Sequence, residues 1–292
     1  MAVGFGWDPQ VLLCLLVAVL VGAYLYCCCG KGRRRRSTAA AVGGDDTREK
    51  AKTALHKIGY VVEHGEPIAS GRFGSIFLAL GRLSGQREGG ILYLVCEFCE
   101  GGTMLDQVQG GGLSEPQGLL WMRQVALAIE HMHRLGFAHR DLKAEHILLA
   151  DDGRRAVVGD FGLSCRADPE TTLSHEFVGS LEYAAPELLT SLLHNPCQAD
   201  VWAFGVVYFV ATTGKFPFNF GPQDSGHSVA VRQRRHAFQF PANTDLSHNL
   251  RTFVRRLLHP VWRSRMSMSA VLNDRYWAWA GNQFAHSKHS TT

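Results

Sequence analysis

Residues 11–29 read VLLCLLVAVLVGAYLYCCC, 19 residues without a charge. At about 1.5 Å of rise per residue this run makes about 28 Å of helix, enough to cross a bilayer core. Lys31, Arg33, Arg34, Arg35 and Arg36 follow at once, whereas Asp8 is the sole charge before it. Positive charge marks the cytoplasmic side of a span, so the rest of the chain is expected in the cytosol. A cleaved signal peptide would carry its positive charge ahead of the apolar run and a small-x-small site behind it, and here the charge is on the other side. Cys27, Cys28 and Cys29 stand where juxtamembrane cysteines are acylated, or simply end a helix with small apolar residues. Residues 37–52, small, polar and charged with a Gly-Gly pair, read as a linker without fixed structure. The expected organisation is a short N-terminal segment (1–10), a transmembrane helix (11–29), a basic juxtamembrane linker (30–58), a folded domain (59–282) and a polar tail (283–292).

With 46% hydrophobic residues in 292, the chain is long enough for one large domain or two closely packed lobes. The formal net charge of +4 is concentrated in the run 31–36. A membrane surface explains that cluster, and nothing else points to nucleic acid, which is not expected as a partner. Of eight cysteines, four lie in or beside the apolar run and the others are scattered, so neither a disulfide scaffold nor a metal knuckle is indicated. Cys96 and Cys99 form a lone CxxC, and a reducing compartment fits this usage.

Residues 69–77, ASGRFGSIF, lie between apolar runs and predict strand, flexible turn and strand, a turn whose backbone N–H groups can approach phosphate closely. ILYLVCEF at 91–98 suits a buried strand, with Cys99, Glu100, Gly101 and Gly102 as the following turn. Leu119, Met122, Val125, Ala126, Ile129 and Met132 recur at helical spacing and predict a core-facing helix leading to Gly136. His131 and His133 on that helix point roughly 200° apart at about 100° per residue, which makes them packed or solvated histidines rather than a metal pair.

Then come HRDLKAEHILL at 139–149, VVGDFGLS at 157–164, GSLEYAAPE at 179–187 and DVWAFG at 200–205. In their order and spacing these motifs resemble the eukaryotic protein kinase superfamily, serine/threonine type, over about residues 60–279. The resemblance implies an α+β fold of two lobes, a small β-rich lobe up to about Glu97 and a large helical lobe beyond it. It implies ATP and Mg²⁺ as cofactors and a protein substrate carrying a Ser or Thr hydroxyl. Phosphoryl transfer needs a carboxylate to orient the attacking hydroxyl and metal to neutralise phosphate charge. Asp141 matches the first, and Lys143 resembles the lysine that contacts the transferred phosphate. Asp160 matches the metal-holding aspartate, and His146 stands where the second metal ligand is an asparagine. Ala69, Ser70, Gly71, Arg72, Phe73, Gly74 and Ile76, with Glu97, Cys99 and Leu148, are the implied nucleotide contacts. Asp200 resembles the aspartate that braces the catalytic loop, and Glu187 one that pairs with an arginine, for which Arg265 is the candidate. Thr171, Thr172 and Ser174 lie in the segment where a phosphate would pair with Arg140.

The pattern breaks in the small lobe. The family places a lysine-bearing strand, a helix with a glutamate partner and another strand between the Gly-containing turn and the hinge strand. Two average strands and one average helix need about 21 residues, and only residues 81–90 are present. No lysine occurs between Lys57 and Lys143, leaving Arg72 or Arg82 as substitute cations. The small lobe is therefore expected to be truncated, lacking a helix and central strands. At His146, imidazole suits transition metals better than Mg²⁺, which prefers oxygen. The expected function is a single-pass, membrane-anchored serine/threonine kinase, and the alternative is a catalytically impaired pseudokinase or shortened isoform serving as a membrane-tethered scaffold.

Overall fold

The computed structural model describes residues 91–285 apart from residue 110, together with the strands at 36–42, 61–62, 69–71, 74–80 and 84–88. The transmembrane expectation at residues 11–29 lies outside the described residues. No helix among the described residues is long and apolar enough to cross a membrane. The chain divides into a strand-rich unit ending at Glu100 and a helical unit from Gly101 onward.

The strand-rich unit is one six-stranded sheet. Its strands are β1 (Arg36–Val42), β2 (Val61–Val62), β3 (Ala69–Gly71), β4 (Gly74–Leu80), β5 (Ser84–Glu88) and β6 (Ile91–Glu97). Their order is β2-β4-β1-β6-β5, with β3 also paired to β4. The β3–β4 pair brings Gly71 opposite Gly74, so the two strands expected around residues 72 and 73 are present. The β5–β6 pair brings Glu88 opposite Ile91.

Two expectations are corrected here. Residues 37–52 were expected to lack fixed structure, yet Arg36–Val42 is the central strand, antiparallel to β4 on one side and β6 on the other, with Thr38 opposite both Leu78 and Cys96. The sheet was expected to lack central strands, and β1 occupies that place. The physical reason is the backbone: β4 and β6 each present a row of donors and acceptors that must be paired. Among the described residues the segment between them holds the five-residue β5, and an extended segment from earlier in the chain completes the ladder.

The helical unit contains α1 (Met104–Val108), α2 (Glu115–Arg134), α3 (Pro186–Leu189), α4 (Pro196–Thr213), α5 (Gly226–Arg234), α6 (His248–Leu257), α7 (Met268–Leu272) and α8 (Arg275–Ala285). α8 therefore continues past residue 282, the expected end of the domain. Short strands β7 (Phe137–Ala138), β8 (Ile147–Ala150), β9 (Arg155–Val158) and β10 (Cys165–Arg166) pair as β7–β10 and β8–β9. α4 is the axis of the core: it is apolar nearly all round, the signature of a helix enclosed by neighbours, and Val201 through Val210 are all buried. It starts at Pro196 in the first turn, where a missing N–H matters least. The Asn195 side chain accepts from the Cys197 N–H at 2.8 Å, and Gly214 ends the helix in the left-handed region at φ 67°. A Cβ at Gly205 would stand 2.9 Å from Leu257 Cβ, so glycine sets how closely α4 and α6 approach. On α2 the predicted stripe is buried at Met122, Val125, Ala126, Ile129 and Met132, while Leu119 is only half-buried and Trp121 is buried instead.

Candidate active site

The site is built on the loop between β7 and β8. Asp200, 1% exposed on α4, accepts the His139 backbone N–H at 2.7 Å and the Arg140 backbone N–H at 2.8 Å. The His133 ring donates Nε2–H to the same carboxylate at 2.8 Å. A buried carboxylate is stable only when so paired, and its three donors fix the loop to the core. His133, read from sequence as a packed or solvated residue, is thus one of the loop's supports. Its spacing carried no signal, because the partner lies 67 residues away.

His139 is fully buried, donates Nε2–H to the Gly159 carbonyl at 3.1 Å, and packs 5.3 Å from the Phe161 ring. Burial holds its imidazole below the usual histidine range, with Asp200 opposing the shift. This histidine ties the loop to the segment bearing Asp160. Arg140 and Asp160 both adopt left-handed conformations, φ 67° and 56°. Such geometry in non-glycine residues persists only where the surroundings hold it. For Arg140 they do: its backbone N–H goes to Asp200, and Nε donates to the Leu163 carbonyl at 2.7 Å.

Asp141, Lys143, His146 and Asp160 lie within a few ångströms of one another. Asp141 Oδ1 accepts the Ser180 backbone N–H at 2.8 Å, while Oδ2 lies 3.6 Å from Lys143 Nζ and 3.5 Å from His146 Nδ1. Lys143 Nζ donates to Ser180 Oγ at 3.0 Å. His146 Nδ1 donates to the Asp141 carbonyl at 2.9 Å, and its Nε2 stands 3.2 Å from Asp160 Oδ2. The Asp160 side chain is 56% exposed, and its other oxygen accepts the Gly162 N–H at 3.2 Å. Ser180 is a positioning residue that sequence reasoning missed. The glycine before it, Gly179 at φ 100°, is obligatory, because a Cβ there would collide with the Arg140 carbonyl.

Among the described residues no group of three or more His, Cys, Asp or Glu side chains is arranged to hold a metal. The Asp160 carboxylate and His146 imidazole form a pair, which suffices where substrate phosphates and water complete the coordination of a divalent cation. Leu148 lies on β8 between buried Ile147 and Leu149 and is itself half-buried, on the opposite face. In the strand-rich unit Ala69, Ser70 and Gly71 lie on β3, Gly74 and Ile76 on β4, and Glu97 ends β6 with Cys99 just after it. Arg72, Phe73 and Arg82 lie outside the described residues.

Glu187 and Arg265 form the expected pair, bidentate at 2.8 and 3.0 Å, 3% and 4% exposed, with the Arg265 guanidinium also over the Trp202 ring at 5.1 Å. In the segment that holds Thr171, Thr172 and Ser174, it is Glu176 that meets Arg140: Arg140 Nη1 donates to Glu176 Oε2 at 2.6 Å. Thr171 and Thr172 bond locally to Asp168, and Ser174 Oγ accepts the Glu176 N–H.

This arrangement of a held carboxylate, an adjacent ammonium and a second carboxylate–imidazole pair can orient a hydroxyl beside a phosphate-bound cation. The family model described as protein kinase domain matches residues 66–277. CBL-interacting protein kinase 22 of Oryza sativa subsp. japonica is 35% identical over 195 residues, covering 64% of this chain and 42% of the relative. Testis-specific serine/threonine-protein kinase 3 of Mus musculus is 36% identical over 185 residues, 62% of this chain and 66% of that protein. Calcium/calmodulin-dependent serine/threonine-protein kinase 1 of the same rice is 36% identical over 185 residues, 62% of this chain and 30% of the relative. The chain thus matches under two thirds of the length of each of these relatives. By the family match and by these relatives, the chain belongs to the protein kinase superfamily, serine/threonine type.

Proposed function

We propose that this chain transfers the ATP γ-phosphoryl group to Ser or Thr hydroxyls of proteins. The observation that carries this is the holding of Asp141: Ser180 N–H fixes Oδ1, leaving Oδ2 between Lys143 Nζ and the His146 ring. In this role Asp141 Oδ2 orients the substrate hydroxyl and accepts its proton. Lys143, held by Ser180 Oγ, places its ammonium beside that carboxylate and faces the charge of the transferred phosphoryl group. Asp160 and His146 are the residues that would hold a divalent cation, with Mg²⁺ the family's usual metal, and the cation when bound neutralises phosphate charge. Positioning and electrostatics are most of what phosphoryl transfer asks of a protein, and these residues supply both.

The same reading places the domain at the cytoplasmic face of a membrane. Support for that is the uncharged run at 11–29 and the basic residues at 31–36. A second reading, a membrane-tethered scaffold without turnover, is favoured by one observation: no lysine lies between Lys57 and Lys143, and the central strand β1, RSTAAAV, brings none.

The test is transfer from Mg-ATP to a generic serine/threonine substrate by the purified full chain beside Asp141→Asn. Expected is measurable transfer that falls by about 10²–10⁴-fold in the variant. A folded chain indistinguishable from its Asp141→Asn variant would establish the scaffold reading.

A further inference from the structure

His146 Nδ1 lies 2.9 Å from the Asp141 carbonyl oxygen. A carbonyl can only accept, so Nδ1 carries the proton and, in the neutral ring, Nε2 carries the lone pair. That lone pair faces Asp160 Oδ2 at 3.2 Å. At this distance the two atoms are bridged either by a proton on Nε2, which then donates to the carboxylate, or by a metal ion held between them. A separation of 3.2 Å is also what two ligands of one ion have when each is about 2.1 Å from it and they subtend about 100°. The hydrogen bond that sets the tautomer is the kind of outer contact that orients metal-binding histidines. Asp160 remains more than half exposed, so water and phosphate oxygens can reach the remaining positions.

We propose that His146 Nε2 and Asp160 Oδ2 form a mixed nitrogen–oxygen chelate that selects a first-row transition-metal dication over Mg²⁺. The inference rests on the assignment of these two residues as the metal pair of the proposed kinase site. Its chemistry follows from ligand type. Imidazole nitrogen is a good donor for Mn²⁺ and the later first-row ions, whereas Mg²⁺ dehydrates reluctantly and takes oxygen. An asparagine at 146 would offer an oxygen instead.

The test uses the purified full chain and Mn²⁺ alone, without nucleotide. Electron paramagnetic resonance counts bound Mn²⁺, competition with Mg²⁺ gives the preference between the ions, and electron spin echo modulation detects imidazole nitrogen bonded to the bound ion. The expected result is nitrogen modulation in the wild type that disappears in His146→Asn, with the Mn²⁺-over-Mg²⁺ preference falling by about 10-fold or more. Asp160→Asn should weaken Mn²⁺ binding while leaving His146 in place, and thermal unfolding without metal confirms that both variants are folded. Bound Mn²⁺ without nitrogen modulation, an unchanged preference in His146→Asn, or no Mn²⁺ binding because a proton bridges the pair would each overturn the proposal. None of these readouts requires turnover. A chain that binds Mn²⁺ through imidazole but transfers no phosphate sustains this inference while failing the proposed activity, and a working kinase without nitrogen ligation does the reverse.

Discussion

In the helical unit the loop bearing Asp141 is held by the buried Asp200 carboxylate, whereas in the strand-rich unit the central position is taken by an extended segment from earlier in the chain. The Asp200 carboxylate gathers the His133 ring and the backbone N–H groups of His139 and Arg140, and Glu187 pairs with Arg265, so each contact depends on a particular charged side chain. β1 needs only backbone: RSTAAAV pairs on both edges although it carries a single basic residue, Arg36, and no lysine. A ladder hydrogen bond is tolerant of sequence and a charge contact is not. The sheet can therefore replace a missing strand without replacing the cation that such a strand carries in the family.

The largest effect that would sharpen this contrast is at Arg265. Arg265→Ala leaves Glu187 buried without its cation, and the expected loss is about 3–5 kcal/mol of stability, read from the shift of the urea midpoint at constant slope. A loss under about 1 kcal/mol would show that the helical unit is as tolerant as the sheet. Next is Ala40→Pro in the middle of β1. It removes one ladder donor from a central strand, leaving an acceptor unpaired at about 1–3 kcal/mol. Hydrogen exchange should quicken in β4 and β6 while α4 keeps its protection. Unchanged exchange in β4 and β6 would remove Arg36–Val42 from the sheet in solution.

A smaller effect concerns pH. Burial holds His139 below the usual histidine range, so the unfolded chain takes up its proton more readily than the folded one. Stability should be full above the ordinary histidine value of about 6.5 and fall as pH drops below it. His131 and His236 are lowered too and add in the same direction. Denaturant midpoints at pH 7.5 and 5.5 read the difference, and His139→Gln should flatten it. The smallest effect is expected at Glu176, 60% exposed: Glu176→Gln should change stability by less than about 1 kcal/mol. If its pairing with Arg140 orders the segment, the variant's phosphoryl transfer should fall several-fold, and phosphorylation of Thr171, Thr172 or Ser174 should then be able to restore it.

Much of the helical unit was legible because its signals are local. The α2 stripe follows the helical period, and Asp141, Lys143, His146 and Asp160 stand in short ordered motifs, so recognising the motifs places the residues together. Asp200 and Glu187 were legible by resemblance, and Arg265 as the candidate partner of Glu187. What escaped were partners chosen across long separations: His133 for Asp200, Ser180 for Asp141 and Lys143, Glu176 for Arg140. Each is an ordinary polar residue whose spacing carries no message. The strand at Arg36–Val42 escaped for another reason. Its polar, alanine-rich composition resembles a linker, and strand formation depends on the partner edges more than on intrinsic preference.

The sequence by itself determined the family, the chemistry available at Asp141, Lys143 and Asp160, the uncharged run at 11–29, and the lack of room for a full set of elements between β4 and β6. Only the tertiary structure decided which segment completes the sheet, which anion meets Arg140, and which carbonyl the His146 ring meets. The first group follows from residue type and local spacing, which the chain carries with it. The second depends on which donors and acceptors meet after folding, and unpaired backbone and buried charge are settled only by whatever partner the fold brings within about 3 Å.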